Sequence, residues 1–258
     1  MSCYLSVFLC AGLCVLNFTA ATSLMTTTSI DCWSVFAPLL ANVICCPQLK
    51  ATLTILLGQS SKDTNLLALN GTTAKHCLSD IEQILVGQGA NDSLKQICSI
   101  RSSYLTEGSC PVRDVDEFES TVDTSKLLAA CQKIDPVKEC CDQTCQGAIL
   151  EAAMKISLKA SDLLSMGGSH VLPDHSAKVG DCKSIVLRWL ASKLSPAHAK
   201  EVLRGLSNCN VNKGKSLRST RRLKNSIWKL LKITPLTILT YYSKLFFVLF
   251  VYLFLRWS

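Results

Sequence analysis

Apolar residues recur at steps of three and four through the middle of the chain. Between Ala74 and Val86 they are Cys77, Leu78, Ile81, Ile84 and Leu85, with Gly87 and Gly89 behind them as stop signals, which predicts an amphipathic helix. The same steps return from Cys141 to Leu164 through Cys145, Ala148, Ile149, Ala152, Ile156 and Leu163, ahead of Met166-Gly167-Gly168. Asp181 is placed to cap a helix carrying Cys182, Ile185, Val186, Trp189 and Leu190. Ser195-Pro196 opens another, through Val202, Leu203 and Leu206, that ends before Asn208. The alternation of a strand is scarcely visible. The pattern predicts a mostly α fold whose half-cystines sit on the apolar faces, so that disulfides staple helix to helix and to the loops between them.

Two runs break this amphipathic pattern. Leu5 to Leu16 is a short apolar stretch followed by Asn17 and small residues from Thr19 to Thr22. It is shorter than the ~20 residues that span a bilayer and reads as a secretory signal over residues 1–21, although Met-Ser-Cys-Tyr supplies no Lys or Arg ahead of it. At the other end, residues 213–232 form a basic linker and Ile233 to Leu255 a mostly apolar segment long enough to cross a membrane. With the body outside, that orientation opposes the positive-inside rule, and Lys244 adds up to ~3 kcal/mol near mid-membrane. A glycosylphosphatidylinositol (GPI) signal fits poorly, because Asn225-Ser226 runs straight into Ile227-Trp228 without a polar spacer. Two further readings stand beside the spanning helix: RRLKNSIWKLLK as a basic amphipathic helix on an anionic surface, and the whole tail as an alternative terminus read from unspliced sequence.

Cysteine usage then fixes the compartment. Removing the leader takes Cys3, Cys10 and Cys14 and leaves Cys32, Cys45, Cys46, Cys77, Cys98, Cys110, Cys131, Cys140, Cys141, Cys145, Cys182 and Cys209, an even set that suits full pairing in an oxidising lumen. Connectivity stays open, except that Cys45-Cys46 and Cys140-Cys141 are not expected to pair internally, since neighbouring Cα atoms lie about 3.8 Å apart and a disulfide prefers about 5.5 Å. Asn70-Gly71-Thr72 and Asn91-Asp92-Ser93 are N-glycosylation acceptors beside turn residues, in keeping with the same route.

Charge excludes one partner class. The net charge is +8, but of the 27 Lys and Arg 10 lie at or beyond Lys213, so residues 1–212 hold 17 against all 19 Asp and Glu. A nearly neutral body lacks the basic face that nucleic acid needs. Candidate chemistry is thin. Ser169, His170, Asp174 and His175 crowd one loop without a GxSxG elbow, and a hydrolase needs its triad on separate rigid elements. CCxxxC at Cys140, Cys141 and Cys145 does not match paired zinc knuckles. Asp114, Asp116, Glu117 and Glu119 lack the glycine and terminal carboxylate of a calcium loop and read as a solvated face. No catalytic residue, metal or cofactor is expected.

Cys110-Pro111-Val112-Arg113-Asp114-Val115, Phe118-Glu119, Val122-Asp123, Leu127 to Cys131, Ile134 to Val137, Glu139-Cys140-Cys141 and Cys145-Gln146 together resemble the SPARK domain of plant cell-surface proteins, nearest to its uncharacterised GPI-anchored group. Cys45 to Leu49 and Trp189 to Cys209 fit the same pattern, so the resemblance covers roughly residues 30 to 212. It implies an extracellular, mostly helical, disulfide-bonded module over residues 22–212, with no catalytic residue carried over. Related proteins continue past the position of Asn212 with Cys-rich sequence and a GPI signal, and this tail departs from them.

The expected function is therefore a non-enzymatic binding or recognition module at the plasma membrane. Its Cys-rich domain faces outward, the C-terminal tail meets the membrane, and an extracellular protein, glycan or lipid is the partner. Carriage of a lipid or other apolar ligand is the alternative, since cross-linked helices can enclose a cavity; a secreted hydrolase comes last.

Overall fold

Short polar side chains start the helices. In the computed structural model, which describes residues 14–164 and 175–213, Asn70, Asp114 and Asp123 sit in extended backbone ahead of helices. Their side-chain oxygens accept from the amides of Thr73, Glu117 and Lys126 at 2.9, 2.8 and 3.0 Å, which satisfies donors that a first turn leaves without partners. Among the described residues the α-helices are α1 Thr22–Asp31, α2 Ala37–Leu40, α3 Cys46–Thr64, α4 Gly71–Gly87, α5 Leu94–Ile97, α6 Val115–Thr121, α7 Thr124–Cys131, α8 Pro136–Asp142, α9 Thr144–Leu164, α10 His175–Lys193 and α11 Pro196–Lys213. A π-helical turn, Ala41–Cys45, joins α2 to α3, and a 3-10 turn spans Ser102–Leu105. No strand is found among these residues, only isolated bridges between Trp33 and Ala90 and between Leu66 and Asp114. The fold is mostly α, as the periodicity predicts.

The described residues up to Val211 belong to one compact unit, and it is centred on α3. Ala51 and Ile55 belong to a core shared with α9, α10 and α11, while Leu49, Leu53, Leu56 and Leu57 belong to a second core with α1, α4 and α5. A helix buried on opposite sides has no polar stripe, so its pattern is nearly continuous. By length and composition alone the run Ala37–Thr64 would cross a membrane, yet more than half of its most apolar stretch lies inside the protein.

The α3–α10 contact is close because Gly58 faces α10. A Cβ there would meet the Arg188 carbonyl and come within 2.8 Å of the Ala191 Cβ. One residue on, Gln59 Nε2 donates to the carbonyls of Ala191 and Leu194 at 2.6 and 3.1 Å. These are end groups that α10 leaves open. From the same stretch of α10, buried Arg188 donates through Nη1 to the carbonyls of Leu67 and Thr106, both at 2.9 Å, and through Nη2 to the Tyr104 carbonyl. Burial pushes its guanidinium down to about 10, which leaves it charged at neutral pH. Irregular backbone that passes through an interior needs such partners.

Two expectations from the sequence fail against this packing. Asp181 does not cap a helix, because α10 already begins at His175 with an exposed first turn at Ser176 and Ala177 that apolar spacing does not register. Instead its carboxylate accepts from Ser109 N and Oγ at 2.7 and 2.6 Å, beside Gly108 at φ +58°. The helix from Pro196 passes Asn208 and ends at Lys213, with Cys209 buried on its inner face. The acidic stretch does lead into a helix, α6, with Asp116 and Glu119 exposed, and it makes contacts as well: Asp114 caps α6, Asp116 accepts from Asn65, and Glu119 accepts from Trp189 Nε1 at 2.9 Å and pairs with Lys193 at 2.7 Å. Trp189 in turn stacks on Phe118, centroids 5.0 Å apart.

Two outcomes are expected from this packing. Arg188→Met should lose at least about 3 kcal/mol in urea unfolding with disulfides intact, because three interior carbonyls lose their donors. Arg188→Lys, which lacks the planar fork, should recover little of it; near-neutral behaviour of either variant would refute the role given to the guanidinium. The bonds from Lys193 and then Trp189 hold the Glu119 carboxyl below its usual value of 4.5. A lowered carboxyl pKa stabilises the fold above the unfolded value and loses that effect as pH falls through the folded one. The melting difference between the wild type and Glu119→Gln should therefore be present at pH 7 and vanish on acidification below about 4.5.

Candidate binding cleft

Four helices and the 3-10 turn enclose a cleft of about 120 Å³. α3 supplies Lys50, Ala51 and Thr54, α9 supplies Gln146 and Ile149, α10 supplies Lys183 and Leu187, α11 supplies Leu203, Leu206 and Ser207, and Tyr104 comes from the turn. Ile149, Leu203 and Leu206 belong to the shared core, so the floor is apolar and rigid. The lining otherwise offers donors: the ammonium groups of exposed Lys50 and Lys183, and the Gln146 Nε2, which is buried with no hydrogen-bond partner. Burial pushes the Tyr104 phenol above its ordinary value, against the opposing effects of a Thr54 hydrogen bond and the Arg188 charge, so the hydroxyl keeps its proton at neutral pH. No Asp or Glu lines the cleft. A small acidic group meets positive charge and donors there with no competing carboxylate in the wall. The volume suits a side chain, since a cavity of about 150 Å³ holds benzene, whereas clefts for larger ligands run from about 300 Å³.

The cysteines singled out in the sequence form staples. Six disulfides are described: Cys14–Cys77, Cys32–Cys45, Cys46–Cys98, Cys110–Cys182, Cys131–Cys145 and Cys140–Cys209. Neither vicinal pair bonds to itself. The pairing differs from the expected closed set of twelve in two places. Cys77 bonds to Cys14, which the leader reading removes, and Leu16 beside it is only 5% exposed. The packed body thus includes residues ahead of position 22. Cys141 is an exposed free thiol, because successive helix positions point about 100° apart and Cys140 is the one that faces Cys209 on α11. An even count constrains how many cysteines pair and says nothing about which.

No metal set survives this pairing among the described residues. Cys45, Cys46 and Cys98 bring their sulfurs within 4.8 Å of one another, but each is already in a disulfide and offers no thiolate. Cys140, Cys141 and Cys145 diverge toward Cys209, solvent and Cys131. Asn70 is the exposed cap of α4, and Asn91 is half-buried, its Nδ2 donating to the Ser34 carbonyl at 2.9 Å and its Oδ1 accepting from Ser93 N at 2.8 Å. Ser169, His170 and Asp174 lie outside the described residues, as do the leader up to residue 13, the linker beyond Lys213 and the segment 233–255; His175 opens α10. The cleft residues escaped the sequence reading because they come from five elements, and no local spacing joins Lys50 to Tyr104, Gln146 and Lys183.

The sequence model of the SPARK family matches residues 9–183, a span that begins ahead of the leader boundary at 21. An uncharacterised GPI-anchored protein of Arabidopsis thaliana is 64% identical over 203 residues, which is 79% of this chain and 45% of the relative. The chain thus spans less than half the length of the curated relative it matches. No solved structure matches it.

The cystine map has a direct check. Non-reducing peptide mapping of the full chain should give one cross-linked peptide containing Cys14 and Cys77, and iodoacetamide should label Cys141 without denaturant. A labelled Cys77 with no Cys14 peptide would show that cleavage near residue 21 removes the partner and leaves the thiol open.

Proposed function

Because the chain belongs to the SPARK family, we propose that it is a non-enzymatic recognition module, displayed outside the cell and held at the plasma membrane. Its cleft between Lys50 and Lys183 receives an acidic group of an extracellular partner. The observation that carries this reading is the cleft wall, which has two ammonium groups, a protonated phenol and a buried unpaired amide N–H₂ but no carboxylate. Placement outside the cell rests on the disulfides and acceptor asparagines, and attachment on the GPI-anchored relative and on the apolar segment 233–255. Carriage of a lipid in this cleft is disfavoured by volume, since about 120 Å³ is too little for an acyl chain. Hydrolysis is disfavoured by composition, since no histidine or carboxylate in the lining is available to activate the Ser207 or Thr54 hydroxyl.

The test is a peptide array probed with the detergent-solubilised full chain. Peptides with Asp or Glu should bind at least about tenfold better than their Asn or Gln counterparts. That preference should weaken as salt rises and disappear in a Lys50→Glu, Lys183→Glu double variant that keeps its cystine map. An identical binding profile for wild type and variant would exclude the cleft as the recognition site.

A further inference from the structure

Residues Cys32 to Leu49 contain no charge, and several of their large side chains stand in solvent. Trp33 is 54% exposed, Phe36 49% and Leu39 77%, and the Trp33 and Phe36 rings meet edge-on with centroids 6.1 Å apart. An exposed apolar surface headed by two aromatic rings calls for a cover, and the backbone beside it holds one acceptor asparagine. Trp33 bridges to Ala90, Asn91 N donates to the Cys32 carbonyl at 2.9 Å, and Ser34 N donates to the Gly89 carbonyl at 3.3 Å. These ties fasten residues 89–91 along residues 32–34. The Asn91 Nδ2 donates to the Ser34 carbonyl at 2.9 Å, so the atom that glycosylation modifies sits against the backbone of the residue after Trp33.

We propose that Asn91 is N-glycosylated and that the first N-acetylglucosamine of its glycan covers the Trp33–Phe36 surface. In forming the link, Nδ2 gives up one hydrogen and bonds to C1 of the sugar. The bond from C1 to the diphosphate of a lipid-linked oligosaccharide breaks, and the diphosphate leaves with the electron pair as the proton is released. The second Nδ2 hydrogen stays on the Ser34 carbonyl and keeps the sugar at the edge of the patch. The C–H face of the ring then packs on an aromatic face, which removes apolar area from water, while its hydroxyls stay hydrated. Asn70 is built differently. It stands at the exposed start of α4 beside exposed Gly71 and Thr72, so a glycan there projects into solvent. The inference rests on the extracellular placement proposed above and adds a structural use for one of the two acceptors.

The experiment expresses the full chain in a secretory host that makes high-mannose glycans. Ser93→Ala removes the acceptor motif while keeping the Asn91 side chain and the Ser93 amide that it engages; Ser93→Thr restores the motif, and Thr72→Ala removes the one at Asn70. Occupancy is read by glycopeptide mass spectrometry and patch exposure by fluorescence of an apolar dye. Ser93→Ala should raise dye binding about threefold or more, with Ser93→Thr and Thr72→Ala at the wild-type level. Trimming to a single sugar with an endoglycosidase should leave the signal low, and full removal with an amidase should raise it. A glycan on Asn91 whose loss leaves dye binding unchanged overturns the cover and spares the extracellular placement, as does occupancy of Asn70 alone. No glycan at either site overturns both.

Discussion

One buried guanidinium governs how this domain holds together. Arg188 reaches from α10 into the space between the two cores and ends on three carbonyls, those of Leu67, Tyr104 and Thr106. Two irregular segments, after α3 and around the 3-10 turn, cross the interior and would otherwise bury acceptors without donors. A planar fork with several N–H groups can serve three acceptors at once, which an ammonium on a flexible stem does poorly. The close approach at Gly58 serves the same arrangement, because it brings the α10 backbone against α3 where the guanidinium departs. The cleft inherits its geometry from this node: Lys50 and Thr54 come from one helix of the pair, Lys183 and Leu187 from the other, and Tyr104 from the turn whose carbonyl Arg188 holds.

Covalent and non-covalent ties divide the work. The described disulfides of Cys14, Cys32, Cys45, Cys46, Cys77 and Cys98 stay within the first part of the chain, and those of Cys110, Cys131, Cys140, Cys145, Cys182 and Cys209 within the second. Among them no cystine joins the two parts. They are joined by α3 against α10, through apolar contact, Gly58, Gln59 and Arg188, and by hydrogen bonds such as Asn65 to Asp116 and Leu67 N to the Arg113 carbonyl, so the strongest bonds in the protein leave its central seam to packing and hydrogen bonds.

Much of the fold was legible because several helices bury only one face. α4 and α9 announced themselves through steps of three and four, and the Pro at the start of α11 marked its first turn. α3 stayed hidden for the opposite reason: buried on both sides, with Gln48, Thr52 and Ser61 also inside, it has no polar stripe to set its phase. Asp181 was misread because a side chain able to cap a helix can equally hold a distant turn, and only tertiary structure shows Ser109 beside it. Cysteine parity took the leader cysteine Cys14 out of the count and Cys141 into it. The cleft was illegible on principle, since its donors are gathered from elements far apart in sequence and none belongs to a motif.

The partition of the cystines also sets an order for making the protein. Synthesis delivers the first part ahead of the second, and every described staple in residues 14–98 can close using cysteines already present. The second part then brings its own three cystines and, with α10, the arginine that the first part lacks. The α3 face and the carbonyls of Leu67, Tyr104 and Thr106 have their partner in that later part, so the earlier half cannot be sealed before Arg188 emerges. The two sets of staples are thus independent of each other, and the seam between them is the part of the structure that the order of synthesis completes last.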